Sequence, residues 1–336
     1  MTRAFGFLAA AGLVGTATAG DYRQPQLLSR YEAYLTRKWN DSLTMFLVEP
    51  VLSCSCGAVP DKVDTCCVET YGGLVMATQF WNTYTGLESE GQKLPQDSWG
   101  IHGLWPDFCN GSYTQYCDLK RQYDPLPSPN TTNGKPDGTP VPAYNGTSID
   151  KFITPFERFD LLEYMNKFWI ALGTPNWVLW AHEFSKHATC FSTFDVECYG
   201  PKYQEHEELV DFFETVVHYY KETPTWKWLA EKDIKPSNTT AYSLSDIQAA
   251  LTAGHGAIPY LGCSGPRYNT TEAGKGSLDN GFTQLGEAWY YFHVYGRPQR
   301  GDGIPVAADS NGGSVSNCAK TEGAIWYFER SEGSVQ

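Results

Sequence analysis

Two short segments hold most of the side chains able to do chemistry, residues 101–107 (IHGLWPD) and 180–190 (WAHEFSKHATC). Together they supply His102, His182 and His187, three of the chain's seven histidines, with Glu183 and Lys186. Imidazole titrates at about 6.5 when unperturbed, so two positioned histidines can divide the work of general acid and general base at mildly acidic pH. Lysine and protonated histidine also donate hydrogen bonds to anionic oxygens. The set suits proton transfer at a centre that carries negative charge, such as a phosphate.

A helical His-Glu-x-x-His would instead bind zinc, because histidines four residues apart share a face. Here the string His182-Glu183-Phe184-Ser185-Lys186-His187 sets the histidines five apart, roughly 140° around a helix. No third ligand is evident, and neither a metal nor another cofactor is expected. The i,i+4 pairs are His182 with Lys186 and Glu183 with His187, so these four share one broad face while Phe184 and Ser185 point elsewhere. A solvated ion pair accounts for Glu183 and Lys186. It does not account for two histidines bracketed by Trp177, Trp180 and Cys190, which imply partial burial.

The elements that must position these groups follow from patterning. LVMATQFW (74–81) reads as a buried strand leading toward the first segment. A helix is expected over 155–172, with Phe156, Phe159, Leu162 and Phe168 or Trp169 on one face. Another is expected over 203–222, with Leu209, Phe212, Phe213, Val216, Val217 and Tyr220 inward. Ser243 can cap a further helix running to about 253, and AWYYFHVYG (288–296) alternates like a strand. His293, His206, His218 and His255 read as structural. Residues 124–148, rich in Pro, Gly, Asn and Thr, read as an exposed loop. The expected fold is one α+β domain over 54–330, a central antiparallel sheet with flanking helices. Residues 20–53 precede it as an extension with a short amphipathic helix at 27–39.

The rest of the chain points to the secretory route. Residues 1–19 carry Arg3, an apolar run at 4–14 and Ala17-Thr18-Ala19, the pattern of a cleaved signal peptide. No later apolar run is long enough to span a bilayer, so no membrane association is expected. Sequons begin at Asn40, Asn110, Asn130, Asn145, Asn238 and Asn269, candidates for glycans. Ten cysteines in such a chain argue for disulfides. The net charge of −13 argues against a protein that coats nucleic acid. It fits a catalyst of acidic compartments that needs attraction only at a cleft. With 11 Trp and 21 Tyr, a few aromatics are available for base stacking.

Both segments resemble the active-site segments of the ribonuclease T2 family, secreted acid endoribonucleases, as IHGLWPDFCNGSY and WAHEFSKHATC. The resemblance covers roughly residues 54–330, cysteine spacing included. It departs at Ala188, where the family usually carries glycine; a positive φ there would strain alanine. The resemblance implies disulfides Cys54–Cys67, Cys56–Cys109, Cys66–Cys198, Cys117–Cys190 and Cys263–Cys318. It implies cleavage of single-stranded RNA, with low base specificity, through a 2′,3′-cyclic phosphate to a 3′-phosphate. His187 would be the general base, His102 the general acid and His182 a phosphate anchor, with Glu183 and Lys186 stabilising the transition state. Trp105 and Tyr113 would sandwich a base, Asp107 would accept from its exocyclic amine, and Gln79 would serve a second base site. RNA is then the partner, DNA is not cleaved, and a monomer suffices.

Two other classes stand beside this reading. A retired family member acting as a secreted binding protein should have lost a catalytic histidine, and neither His102 nor His187 is lost. A glycoside hydrolase needs two carboxylates at a defined separation. Glu183 and Asp107 are on offer, among histidines that such chemistry does not use.

Overall fold

The apolar run LVMATQF forms β1 (Leu74–Phe80), buried at all but its last residue. Such continuous burial suits a central strand. β1 pairs antiparallel with β2 (Gly100–Asp107) on one side and with β5 (Thr283–Val294) on the other. Along the second half of β5, Ala288, Tyr290, Phe292 and Val294 are buried, while Trp289, Tyr291 and His293 are only partly so. β4 (Tyr260–Ser264) and β6 (Gly303–Val306) pair antiparallel with different stretches of β5. β7 (Ile325–Trp326) pairs with β5 in parallel, and β3 (Ala241–Tyr242) joins antiparallel to β7. The sheet is therefore antiparallel, as expected, except at the β5–β7 pair. The computed structural model describes residues 51–265, 281–310 and 313–336. The expected signal peptide, the expected helix at 27–39 and the sequons at Asn40 and Asn269 lie outside them.

The helices are α1 (Asp150–Ile153), α2 (Phe159–Phe168), α3 (Asn176–Lys186), α4 (Glu207–Glu222), α5 (Thr225–Ala230) and α6 (Leu244–His255). α4 packs on β1 and β2 and buries all six of its expected inward residues. α2 is shorter than expected and turned about its axis. Glu157 adopts a left-handed φ of 56°, so the helix starts afresh at Phe159 and buries Leu161 and Met165. Phe159, expected inward, is 61% exposed. Ser243 occupies the N-cap position of α6, but its hydroxyl accepts from Gly323 N–H instead of capping the helix. These elements enclose one core among the described residues. No helix among the described residues is long and apolar enough to cross a membrane.

Three expected disulfides are present, Cys66–Cys198, Cys117–Cys190 and Cys263–Cys318. The expected Cys54–Cys67 and Cys56–Cys109 are replaced by Cys54–Cys109, which leaves Cys56 and Cys67 as thiols. The cause is local. Cys54 has a left-handed φ of 61°, and its sulfur meets that of Cys109 over Gly73, where a Cβ would lie 3.0 Å from each. The Cys67 thiol turns to Asp64, and burial, with Asp64 adding, pushes it up to about 11. The loop at 124–148 is mostly exposed, but its first residue, Asp124, is fully buried. Asn110, Asn130, Asn145 and Asn238 are all exposed.

Candidate active site

His102 is the extra residue of a β-bulge. Thr78 pairs with Gly103 and Gln79 with Ile101, so His102 has no partner on β1. A bulge re-aims a side chain; here the ring lies 4.7 Å from that of Phe80 and 4.8 Å from that of Trp105. Its carbonyl accepts from Trp169 Nε1 at 2.9 Å, and the Trp169 carbonyl accepts from Trp180 Nε1 at 2.9 Å. Two buried tryptophans thus tie the bulge to α3.

α3 carries His182, Glu183 and Lys186. His187 is the residue just beyond it, at φ −111° and ψ −50°. Its N–H still donates to the Glu183 carbonyl, and its ring stacks on Trp105 at 4.9 Å and 16° and comes within 6.3 Å of the His182 ring. The separation on a helical wheel therefore does not keep the two rings apart. His182, Glu183 and His187 offer donor atoms within 4.8 Å of one another. Two of those side chains already have one atom committed, His182 Nδ1 to Asp124 and Glu183 Oε2 to Trp105.

Glu183 is fully buried. Its Oε2 accepts from Trp105 Nε1 at 2.7 Å, while its Oε1 has no protein hydrogen-bond partner and lies 3.7 Å from His102 Nε2. The carboxylate reaches this position because residue 103 is glycine; a Cβ there would lie 1.8 Å from Glu183 Oε2. Burial pushes the Glu183 carboxyl up to about 7, against the pull of His182, Trp105 and Lys186. The folded protein thus holds this proton more tightly than the unfolded chain does. Its contribution to stability is whole below about 4.5 and is lost as pH rises through about 7. The ionised group then costs on the order of 3 kcal/mol. Glu183→Gln should raise the melting temperature at mildly alkaline pH, with the gain shrinking toward zero in acid. A gain that does not vary with pH would contradict this.

His182 Nδ1 lies 2.7 Å from Asp124 Oδ2, which also accepts from Tyr116 OH at 2.9 Å. Nε2 is left as the ring atom open to a ligand. Lys186 Nζ donates to the Ser128 carbonyl at 3.0 Å, and the Lys186 carbonyl accepts from Tyr116 N–H. With the Cys117–Cys190 bridge, these bonds fasten the loop after β2 to the end of α3. Ala188 opens a short 3-10 turn and has no left-handed φ, so its methyl carries no strain of that kind.

Burial dominates the electrostatics. It pulls His102 down to about 3, with His182 and Lys186 adding to the effect. His187 is lowered well below its ordinary value by burial, then by Lys186, His182 and His102. Burial also lowers Lys186. An anion placed among these groups would favour their charged forms.

The base-site residues fare differently. Tyr113 is 67% exposed and pairs by backbone with Asp107. Burial lifts the Asp107 carboxyl to about 7. Trp105, expected as a base platform, also centres the site: one face is covered by His187, its Nε1 is bonded to Glu183, and Trp289 meets it edge-on at 5.1 Å. Gln79, expected at a second base site, is 1% exposed. Its amide donates to the Thr223 carbonyl and hydroxyl and accepts from the Thr225 hydroxyl, so nothing remains for a base. Strand alternation sends it into the core. Sequence reading missed Asp124, Tyr116, Gly103 and Glu287. Asp124 sits at the edge of a polar loop, and none of the four stands out by type or spacing.

Residues 72–292 match the model of the Ribonuclease T2 family. The chain is 36% identical over 273 residues to ribonuclease Le2 of Lentinula edodes, which covers 80% of this chain and 92% of that protein. It is 35% identical over 267 residues, 80% of its length, to a ribonuclease T2-like protein of Aspergillus fumigatus, of which it spans about half (53%). Its fold is similar to that of Actibind, described as a T2 ribonuclease, with a TM-score of 0.62 and 31% identity over 84% of this chain and 97% of that one. The chain belongs to the ribonuclease T2 family, a family of endoribonucleases.

Proposed function

We propose that this protein is a secreted, monomeric acid endoribonuclease that cleaves single-stranded RNA, with low base specificity and without a metal. The observation that carries the reading is the grouping of His102, Glu183 and His187 about Trp105. RNA holds its own nucleophile beside each phosphodiester, so proximity is built into the substrate. His187 takes the 2′-hydroxyl proton, the 2′ oxygen bonds to phosphorus, and His102 protonates the departing 5′ oxygen. Water then opens the 2′,3′-cyclic phosphate with the two roles reversed, leaving a 3′-phosphate. His182 Nε2 and Lys186 hold the phosphate, and Glu183 and Lys186 stabilise the crowded transition state. DNA, which lacks the 2′-hydroxyl, is not cleaved.

At acidic pH the half-buried Asp107 carboxyl keeps its proton, so it offers a base edge both a donor and an acceptor. Exposed Tyr113 is the stacking surface beside it. The neutral acid matches the adjacent donor and acceptor of adenine.

The pH profile tests the reading. His102 must be charged and His187 neutral, which gives a bell. Both pKa values are depressed, so kcat/KM should peak below the ordinary histidine value of about 6.5 and fall on the alkaline side as His102 loses its proton. The phosphate raises both groups in the complex, so the alkaline limb of kcat should lie at higher pH than that of kcat/KM. Cyclic phosphate should accumulate early. A flat or alkaline profile, or direct formation of 3′-phosphate, would count against the reading.

A further inference from the structure

Glu287 lies beside the proposed general acid, on the side away from Glu183. On β5 it pairs with Phe80 of β1 and with Gly262 of β4. Its Oε1 is 3.7 Å from His102 Nδ1, an atom that is buried and has no hydrogen-bond partner. A buried ring nitrogen with no partner is costly, and a protonated imidazole has two N–H groups to satisfy. Glu183 faces Nε2, and Glu287 faces Nδ1.

The backbone is shaped to bring these groups together. β2 carries its bulge at His102. β5 carries its own at Gly286, since Gly262 pairs with Glu287 while Cys263 pairs with Leu285. The two irregularities fall on the strands that flank β1, near its Gln79–Phe80 end. Gly262 clears the space: a Cβ there would lie 2.8 Å from Glu287 Cβ and 3.0 Å from Oε2. The Glu287 side chain remains 34% exposed, at a cavity also lined by Phe80, Tyr260 and Trp289.

We propose that Glu287 is a positioning residue for His102: its carboxylate accepts the Nδ1 proton, so that Nε2 carries the proton given to the leaving oxygen. This rests on the ribonuclease reading above. The gap closes to hydrogen-bond length when the ring is charged, as contacts of this kind tighten in the working complex. After transfer, neutral His102 keeps its Nδ1 proton, and Nε2 is ready to act as base on water. The titratable groups set around His102 are Glu183, His182, Lys186 and His187 from α3 and its end, and Glu287 from β5; Glu287 is the one aligned with Nδ1.

The test uses the full chain with ¹⁵N-labelled histidine, comparing wild type, Glu287→Ala and Glu287→Gln. Neutral His102 in the wild type should be the Nδ1–H tautomer, and Glu287→Ala should shift it toward Nε2–H. Glu287→Gln, whose amide oxygen still accepts, should keep the tautomer. On RNA, Glu287→Ala should lower kcat about ten- to a hundredfold with little change in KM, the scale seen when a metal-bound histidine loses its orienting carboxylate. Both variants should move the alkaline limb to lower pH, because both remove the negative charge. An unchanged tautomer, kcat and pH profile in Glu287→Ala would overturn the proposal. So would a rise in KM alone, which would make Glu287 a substrate contact. An inactive wild type would defeat the ribonuclease reading and leave the tautomer measurement to judge Glu287.

Discussion

Replacing His187 by phenylalanine should cut RNA cleavage by about 10²–10⁴-fold, the range for loss of a general base, and leave the fold in place. The His187 ring stacks on Trp105, and phenylalanine keeps that aromatic contact while removing both nitrogens. His187 is also held nearly uncharged by burial, so the substitution removes no buried charge. The loss should appear in kcat, with KM little changed. His102→Phe should behave alike, because Phe80 and Trp105 already enclose that ring in aromatic surface. The checks are steady-state kinetics and a thermal melt. A His187→Phe protein with a tenth or more of wild-type kcat would remove this residue from the chemistry.

The other large effect is expected at Gly103→Ala, a substitution at a residue with no side chain of its own to do chemistry. The new methyl would lie 1.8 Å from Glu183 Oε2, 2.6 Å from its Cδ and 2.9 Å from Trp105 Nε1. Glu183 is fully buried, at the centre of a packed site, so the conflict is relieved only by moving the carboxylate or β2. Either movement breaks the Trp105–Glu183 hydrogen bond and unseats the stack that holds His187. Overpacking of this kind costs about 1–3 kcal/mol. Activity should fall by at least about a hundredfold, since small displacements of catalytic groups already cost that much. A double-mutant cycle isolates the cause. With Glu183→Ala in place the two shortest of the three contacts are gone and only Trp105 Nε1 must give, so Gly103→Ala should then cost clearly less stability. Full additivity would show that the clash with Glu183 is not the origin.

The chemistry-bearing residues were legible because histidine, glutamate and lysine at such spacing have few structural uses. β1, α4 and the α+β class were legible from apolar periodicity. What escaped depends on a third dimension. The rotation of α2 follows from one left-handed residue, Glu157. His187 comes within reach of His182 despite their separation on a helical wheel. Gln79 is polar by type yet buried in the core, where Thr223 and Thr225 satisfy it. Trp105 offers stacking faces in sequence, and the fold gives one of them to His187. Asp124 and Glu287 meet their histidines across 58 residues and across the sheet, a distance no local pattern encodes. The pairing of Cys54 with Cys109 turns on a glycine at 73 that frees the space for both sulfurs.

The most direct measurement of the central claim is cleavage of an RNA oligonucleotide and its DNA counterpart, at about pH 5 with EDTA present, by wild type, His102→Phe and His187→Phe. The account predicts that wild type cleaves RNA alone and releases a 2′,3′-cyclic phosphate, and that both variants lose this activity. Cleavage of the DNA strand, loss of activity with EDTA, or full activity in either variant would contradict it.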